Sequence, residues 1–437
     1  MFSTKKAVAL SAATAILVSL AACGGSDDSG NSASKDGKLS GSITFQTWNL
    51  KNDKYTPYFN DLIKQFEKEN PGTTIKWIDQ PSDGYEQKLS ADAAAGQLPD
   101  IVDAGASMMY MLAKAGILMD VSKEAPKAAK NYTPGGWKAA TFSGNGVEKG
   151  VYAFPWYVND GPQYYNTEVL KKCGVSTDKL PKTWDEYFDA ANTLTDNCKG
   201  DYMSTMMAND MGDLASAGIK IINDDHTKYV FNSPKAVAFL QRFVDLYKKG
   251  GIPPEALDAK WSQQSDFFQR GTIASMGGSA YSADGFKLNA PDLYKNLAVG
   301  PKINDTPHSV TVGYEMLGVN ATTKNKPLAL AFAQYVTNSK NQLEFDKKAA
   351  VFPSSAGTID DPYFAEAASE DSVKGQALKI TLDAVKNGSA SRPAEFTDSN
   401  GNDYYGEQVA MALQGKQTAK QALDKAVAFA NKKLQQK

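Results

Sequence analysis

The chain has 437 residues, too many for one compact core, and suggests two or three domains. With 42% hydrophobic and 22% charged residues it has the composition of a soluble globular protein. A net charge of −2 with no basic stripe excludes the electrostatic footprint of a nucleic-acid binder.

At the N-terminus, Lys5-Lys6 precede an apolar run from Ala7 to Ala22 that closes on Leu20-Ala21-Ala22-Cys23. The run has the length of a signal h-region and is short for a membrane span. The Leu-Ala-Ala-Cys arrangement resembles a bacterial lipobox. Residues 1–22 are therefore expected to be a lipoprotein signal peptide and Cys23 the lipidated first residue of the mature chain, anchored by acyl chains worth about 0.8 kcal/mol per buried CH₂. Residues 23–41, rich in Gly, Ser, Asp and Asn, follow as a flexible tether.

Strand and helix signals then alternate. Ser42 to Trp48 alternates as a strand and delivers Trp48-Asn49 into a loop. Tyr58, Phe59, Leu62, Ile63 and Phe66 share one helical face, and Asn70-Pro71-Gly72 stops that helix. Thr73 to Ile78 is a second strand, a helix from about Tyr85 ends at Gly96, and Pro99-Asp100-Ile101-Val102-Asp103 enters a third strand. Such alternation implies a parallel sheet with its ligand crevice at the carboxyl ends of the strands, where Trp48, Asp83 and Asp103 lie. Met108, Met109, Met111 and Trp77 are expected to pack in the core.

The stretch Gly150–Asn166 has the character of a crossing between two lobes. Aromatic residues Trp156, Tyr157, Tyr164 and Tyr165 surround the polar run Asn159-Asp160-Gly161-Pro162. Aromatic faces next to amides and carboxylates suit a sugar ring, whose C–H faces lie on an aromatic and whose hydroxyls need donors and acceptors. On these residues alone, a buried aromatic cluster followed by a polar turn is the simpler interpretation.

Beyond it the pattern is more helical. Thr183-Trp184-Asp185-Glu186 forms a capping box, which gives Trp184 a structural role. Ser233-Pro234 opens a helix that Gly250-Gly251 ends, and Trp261 follows in a loop. Phe268-Gln269-Arg270-Gly271 leads to a short strand and the Gly-rich turn Gly277-Gly278-Ser279. Cys173 and Cys198 remain in the exported body, where an oxidising compartment favours a disulfide over two thiols.

Taken in order, Gly96-Gln97-Leu98-Pro99-Asp100-Ile101-Val102, Ala115-Gly116-Ile117-Leu118, Tyr164-Tyr165-Asn166, Pro181-Lys182-Thr183-Trp184, Phe268 to Met276, Val312-Gly313-Tyr314-Glu315 and Gly415-Lys416-Gln417-Thr418 carry a resemblance. The chain resembles the family-one extracellular solute-binding proteins of ABC importers, in the carbohydrate-binding branch related to maltose-binding protein. The resemblance implies a type II periplasmic-binding-protein fold: two α/β lobes joined by a three-segment hinge with a ligand cleft between them. It places the first lobe at 42–155 and 302–353, the second at 156–301 and 354–437, and the crossings near Trp156–Asn159, Ala298–Lys302 and Val351–Ser355. The implied cleft set is Trp48, Asn49, Asp83, Asp103, Trp156, Asn159, Trp261, Ser279, Tyr281, Tyr314, Glu315 and Arg392. The implied partners are a carbohydrate, ABC permease subunits and, through Cys23, the outer face of the cell membrane. A monomer without cofactor, metal or nucleic acid is expected.

Two other classes share these features. A glycoside hydrolase would need paired carboxyls, drawn from Asp83, Asp103, Asp160 and Glu315, at a defined separation across a scissile bond. A surface adhesion module would keep the cleft without a transporter. The two histidines, His226 and His308, lie outside metal-ligand spacing, and Asp398-Ser399-Asn400-Gly401-Asn402 departs from a calcium loop at Asp403 and Val409.

Overall fold

A computed structural model of the protein describes residues 38–257, 261–280, 282–306, 312–387 and 399–435. The chain opens with β1 (Gly41–Trp48), α1 (Thr56–Glu69), β2 (Thr73–Gln80), α2 (Tyr85–Ala94), β3 (Ile101–Gly105) and α3 (Ala106–Lys114). Helix α1 starts with a proline in its first turn, buries Tyr58, Phe59, Leu62 and Phe66, and stops at Asn70. Full burial of such side chains is worth about 1.5–3 kcal/mol each. Short helices α4 (Val121–Glu124) and α5 (Pro134–Ala139) and the hairpin of β4 (Thr141–Gly144) and β5 (Val147–Val151) lead to β6 (Phe154–Asn159).

The chain then builds a second layer system from β7 (Gln163–Asn166), α6 (Thr167–Lys172), α7 (Trp184–Asn197), α8 (Met211–Ser216) and α9 (Pro234–Lys249). It continues with α10 (Trp261–Gln269), β8 (Ser275–Gly277), α11 (Ser282–Asn289), α12 (Pro291–Lys295) and β9 (Leu297–Gly300). The capping box on α7 is formed by Thr183 and Glu186, and α9 runs from the Ser233 cap to Gly250 in the left-handed region. Trp261 is the first residue of α10, where the sequence suggests a loop.

A return crossing delivers β10 (Gly313–Val319), α13 (Lys326–Val336), α14 (Ser339–Ala349) and β11 (Phe352–Pro353). The chain finishes with α15 (Pro362–Ser369), α16 (Val373–Asn387), α17 (Ser399–Leu413) and α18 (Ala419–Gln435). Helices α17 and α18 pack on α9 in the core of the second lobe.

Among the described residues the strands form one six-stranded sheet, ordered β11-β6-β10-β3-β1-β2, and one three-stranded sheet, ordered β8-β7-β9, besides the hairpin. The first sheet is mixed, not all parallel as the sequence suggests. Strands β2, β1 and β3 are parallel, but β10 runs antiparallel to both β3 and β6. The reason lies in the crossing. The chain leaves the first sheet at the end of β6, so a strand returning from the second lobe enters at that same edge and must run the opposite way.

The crossings also fall later than the resemblance implies. All of Phe154–Asn159 belongs to the first sheet and Gln163–Asn166 to the second, so the first crossing is Asp160-Gly161-Pro162 and not Trp156–Asn159. The second begins after Gly300, where β9 ends. The third is spread over a helix pair, with the Phe364 ring of α15 stacked on Phe352 of β11 at 5.8 Å while α16 lies against β9 and α11. A lobe boundary after residue 353 therefore separates α15 from the sheet it packs on.

Candidate ligand cleft

The ends of β3 and β6 and the start of β10 face the second lobe across a cleft of 710 Å³. The first lobe contributes Glu86 from the first turn of α2, Gly105 to Ser107 at the junction of β3 and α3, Asn159, Tyr314 and Glu315. The second contributes Gln163, Thr205, Met206, Asn209, Asp210, Asp213, Gln264 and Gly277, and the crossings add Asp160 and Lys302. The volume lies in the range of small-molecule sites.

The cleft set implied by the resemblance is only partly assembled there. Asn159, Tyr314 and Glu315 line the cleft, with Asn159 paired to Gly313 across β6 and β10. Trp48 is half-buried against Tyr85, ring centroids 6.4 Å apart, and its side chain acts on Glu315. Asp103 is fully buried behind Glu315 and does not reach the surface. Asn49 and Asp83 are exposed in the loops after β1 and β2, off the cleft lining. Ser279 follows β8, where its carbonyl accepts from the Tyr164 hydroxyl at 2.8 Å, and the cleft surface nearby is made by Gly277 and Gln163. Tyr281, Arg392, Cys23 and the Trp261 side chain lie outside the described residues.

Trp156 belongs to the core of the first lobe and not to the cleft. Its ring is 0% exposed, stacks on Phe345 at 5.1 Å and 26°, and meets Phe59 at 6.0 Å. Strand β6 is covered on both faces, and Trp156 fills the side beneath α14. The aromatic run is thus the buried cluster that its residues suggest when taken alone.

Several lining residues escape sequence inspection. Gln163 is 5% exposed, and its side-chain nitrogen has no hydrogen-bond partner. The run Thr205–Asp213 carries a local signature only in Asp210, which caps α8 by accepting from Gly212 N at 2.5 Å. Within this run Ala208 sits at φ 58, a region costly for a residue with a Cβ, and the buried Tyr405 hydroxyl holds its carbonyl at 2.6 Å. A distant helix, α17, therefore fixes the shape of the cleft wall.

The electrostatics are strongly one-signed. Glu86, Asp160, Asp210, Asp213 and Glu315 line the cleft with Lys302, and Lys302 is ion-paired with the almost fully buried Asp160. Burial pushes both Asp103 and Glu315 above the usual carboxylate range, and the proximity of the two carboxyls adds to the rise at Asp103.

Two α/β lobes, a crossing between them and a polar cleft furnished by both define a two-lobed binding protein of the type II periplasmic class. Residues 52–343 match the family model for bacterial extracellular solute-binding proteins, and the chain belongs to that family. Diacetylchitobiose binding protein DasA of Streptomyces coelicolor is 27% identical over 359 residues, 80% of this chain and 82% of that protein. Maltodextrin-binding protein MdxE of Bacillus subtilis is 24% identical over 367 residues, 79% of each. The GacH receptor of Streptomyces glaucescens, solved unliganded and with acarbose, superposes with a TM-score of 0.71 at 21% identity, covering 91% of this chain and 99% of that one.

Proposed function

We propose that this protein captures a neutral oligosaccharide in the cleft between its lobes and presents it, in a closed form, to the permease of an ABC importer. The observation that carries this reading is the two-sided polar lining. Donors and acceptors from both lobes converge on a volume of sugar size, and among the described lining residues the carboxylates outnumber the one lysine, which is already paired. Carboxylates accept well from sugar hydroxyls, whereas a phosphorylated or uronic sugar would be repelled. The relatives named for diacetylchitobiose and maltodextrin support a saccharide of more than one ring.

The arrangement of carboxyls favours binding over hydrolysis. A glycosidase needs two accessible carboxyls flanking the scissile bond. Of the four acids considered for that role, Asp103 is hidden behind Glu315, Asp160 is occupied by Lys302 and Asp83 lies off the cleft, which leaves Glu315 alone; Glu86, Asp210 and Asp213 also line the cleft, and product analysis tests them.

A ligand shifts the opening equilibrium only through contacts that it makes better in the closed form, which requires contributions from both lobes. A micromolar sugar supplies about 8 kcal/mol, enough to close a hinge costing a few. A calorimetric screen of oligosaccharides is expected to find a binder, with no cleavage products. X-ray scattering should then show a smaller radius of gyration, and ligand at a hundred times its Kd should stabilise by about 2.7 kcal/mol. Tight binding without compaction would exclude closure as the signal, and product formation would replace the binding reading by a hydrolytic one.

We further propose that Cys23 anchors a monomer to the outer face of the membrane through the tether. Cys23→Ser is expected to yield unprocessed precursor or released protein, detected by fractionation and mass spectrometry. A variant of mature size that stays with the membrane would refute the anchor.

A further inference from the structure

The cleft wall of the second lobe includes a run with neither helix nor strand between Tyr202 and α8, from which Thr205, Met206, Asn209 and Asp210 line the cleft. Its two ends are pinned. At the near end Ser275 of β8 donates to the Met203 carbonyl through its amide at 2.8 Å and its hydroxyl at 2.9 Å, and Ser204 shares a hydrogen bond with the Tyr187 hydroxyl at 2.6 Å. At the far end the Asp210 carboxylate caps α8.

The middle turns on Ala208. Met207 is 2% exposed and Ala208 0%, whereas Asn209 is exposed at the cleft surface, so the chain passes from core to cleft within one residue. It does so with Ala208 at φ 58, a conformation that persists in a residue with a Cβ only where the surroundings over-determine it. The Tyr405 hydroxyl of α17 is such a determinant: it donates to the Ala208 carbonyl at 2.6 Å from 197 residues further along the chain.

Tyr405 is itself held fast. It is 1% exposed, meets the Phe231 ring edge-on with centroids 5.9 Å apart, and belongs with Ala208 to the core of the second lobe. A Cβ on the adjacent Gly406 would stand 4.0 Å from that of Asn209, so α17 lies directly behind this lining residue. Burial, with the Asp213 and Asp210 carboxyls nearby, holds the phenol well above its usual range and keeps it a neutral donor.

We infer that Tyr405 is a positioning residue for ligand binding: its hydroxyl holds Ala208 in the left-handed conformation and so sets how Met206 and Asn209 meet the ligand. Tyr405 stands outside the cleft lining and acts only through the wall. Both partners of the bond sit in one lobe, so the wall keeps its shape at any opening of the cleft. The ligand's identity as a sugar rests on the function proposed above; the brace itself does not.

Without the hydroxyl, the Ala208 carbonyl loses its donor and the residue relaxes toward negative φ. The competent wall becomes one conformer among several, and apparent affinity falls with the fraction of protein that still presents it. Glycine takes positive φ about as readily as negative, so with glycine at 208 the competent conformer depends less on the hydroxyl.

The test is a double-mutant cycle on the mature protein with Tyr405→Phe, Ala208→Gly and the two combined. Phenylalanine keeps the ring against Phe231 and removes only the hydroxyl. Affinity is measured for diacetylchitobiose, maltotriose, an arabinooligosaccharide and a galactooligosaccharide, and hydrogen exchange is followed by mass spectrometry in the unliganded forms. Tyr405→Phe should weaken binding by about five- to tenfold. It should also speed exchange across 205–213 while leaving α9 at the wild-type rate. Ala208→Gly alone should stay within a few-fold of wild type, and adding Tyr405→Phe to it should weaken binding by no more than about twofold. A merely structural Tyr405 would lower the melting temperature with affinity unchanged, or weaken binding equally in the alanine and glycine backgrounds; either result overturns the inference. Unchanged exchange across 205–213 overturns it as well. If none of the sugars binds while Tyr405→Phe still speeds exchange in that run alone, the brace stands and the carbohydrate reading fails.

Discussion

Trp156→Ala is expected to destabilise the protein by about 3–5 kcal/mol while leaving affinity for the cognate sugar within twofold of wild type. The indole is enclosed by Phe45, Phe59, Tyr157 and Phe345, and the carbonyl of the same residue accepts from the Ser354 hydroxyl at 2.9 Å. Truncation removes the largest ring from this cluster and leaves a cavity that a central strand covered on both faces cannot collapse to fill. Denaturant unfolding with a parallel calorimetric titration separates the two quantities. Loss of affinity with unchanged stability would return Trp156 to the ligand surface.

Replacing both Cys173 and Cys198 by alanine should cost about 3 kcal/mol, again without weakening ligand binding. The structure joins these residues by a disulfide across a separation of 25, with Cα atoms 5.5 Å apart. Cys173 caps α6 and Cys198 caps α7, so the bridge ties the ends of two helices that Asn197 already links by donating to the Cys173 carbonyl at 2.9 Å. Helix α7 has 14 residues and reaches the cleft at its other end, through Trp184. At about 1.5 Å per residue this puts the bridge about 20 Å from the ligand. Equilibrium unfolding of the double variant gives the stability loss. Alkylation of the wild type under non-reducing denaturation should label neither cysteine, and labelling of both would remove the bridge from the account.

What the sequence reveals and what it hides divides along physical lines. The cap of α7, the end of α9 at Gly250 and the stop of α1 at Asn70 are legible because each is fixed by a few neighbouring residues. The side on which Trp156 lies is not. Residues 154–158 are all buried, so β6 lacks the alternation that would assign its aromatics to a face. The direction of β10 depends on where a chain segment re-enters the sheet after an excursion through another lobe, which no local pattern encodes. Tyr314 and Glu315 could be reached through family motifs, whereas Gln163 and Asn209 enter the cleft through the packing of the second lobe.

Three chain segments that pass separately between two bodies would behave like slack ropes, allowing twist, slide and tilt alike. Here two of them are knotted. Asp160 of the first crossing is ion-paired with Lys302 of the second, and a Cβ on the adjacent Gly161 would overlap the Gly278 carbonyl and the Ser279 backbone. The first crossing is thus pressed onto the second lobe with little slack, and opening of the cleft is expected to swing about an axis beside that knot. Points near an axis travel least. Asn159, Asp160 and Gln163 should therefore keep their spacing at every opening angle and offer an incoming ligand a rigid template, while the far walls sweep in afterwards like a door.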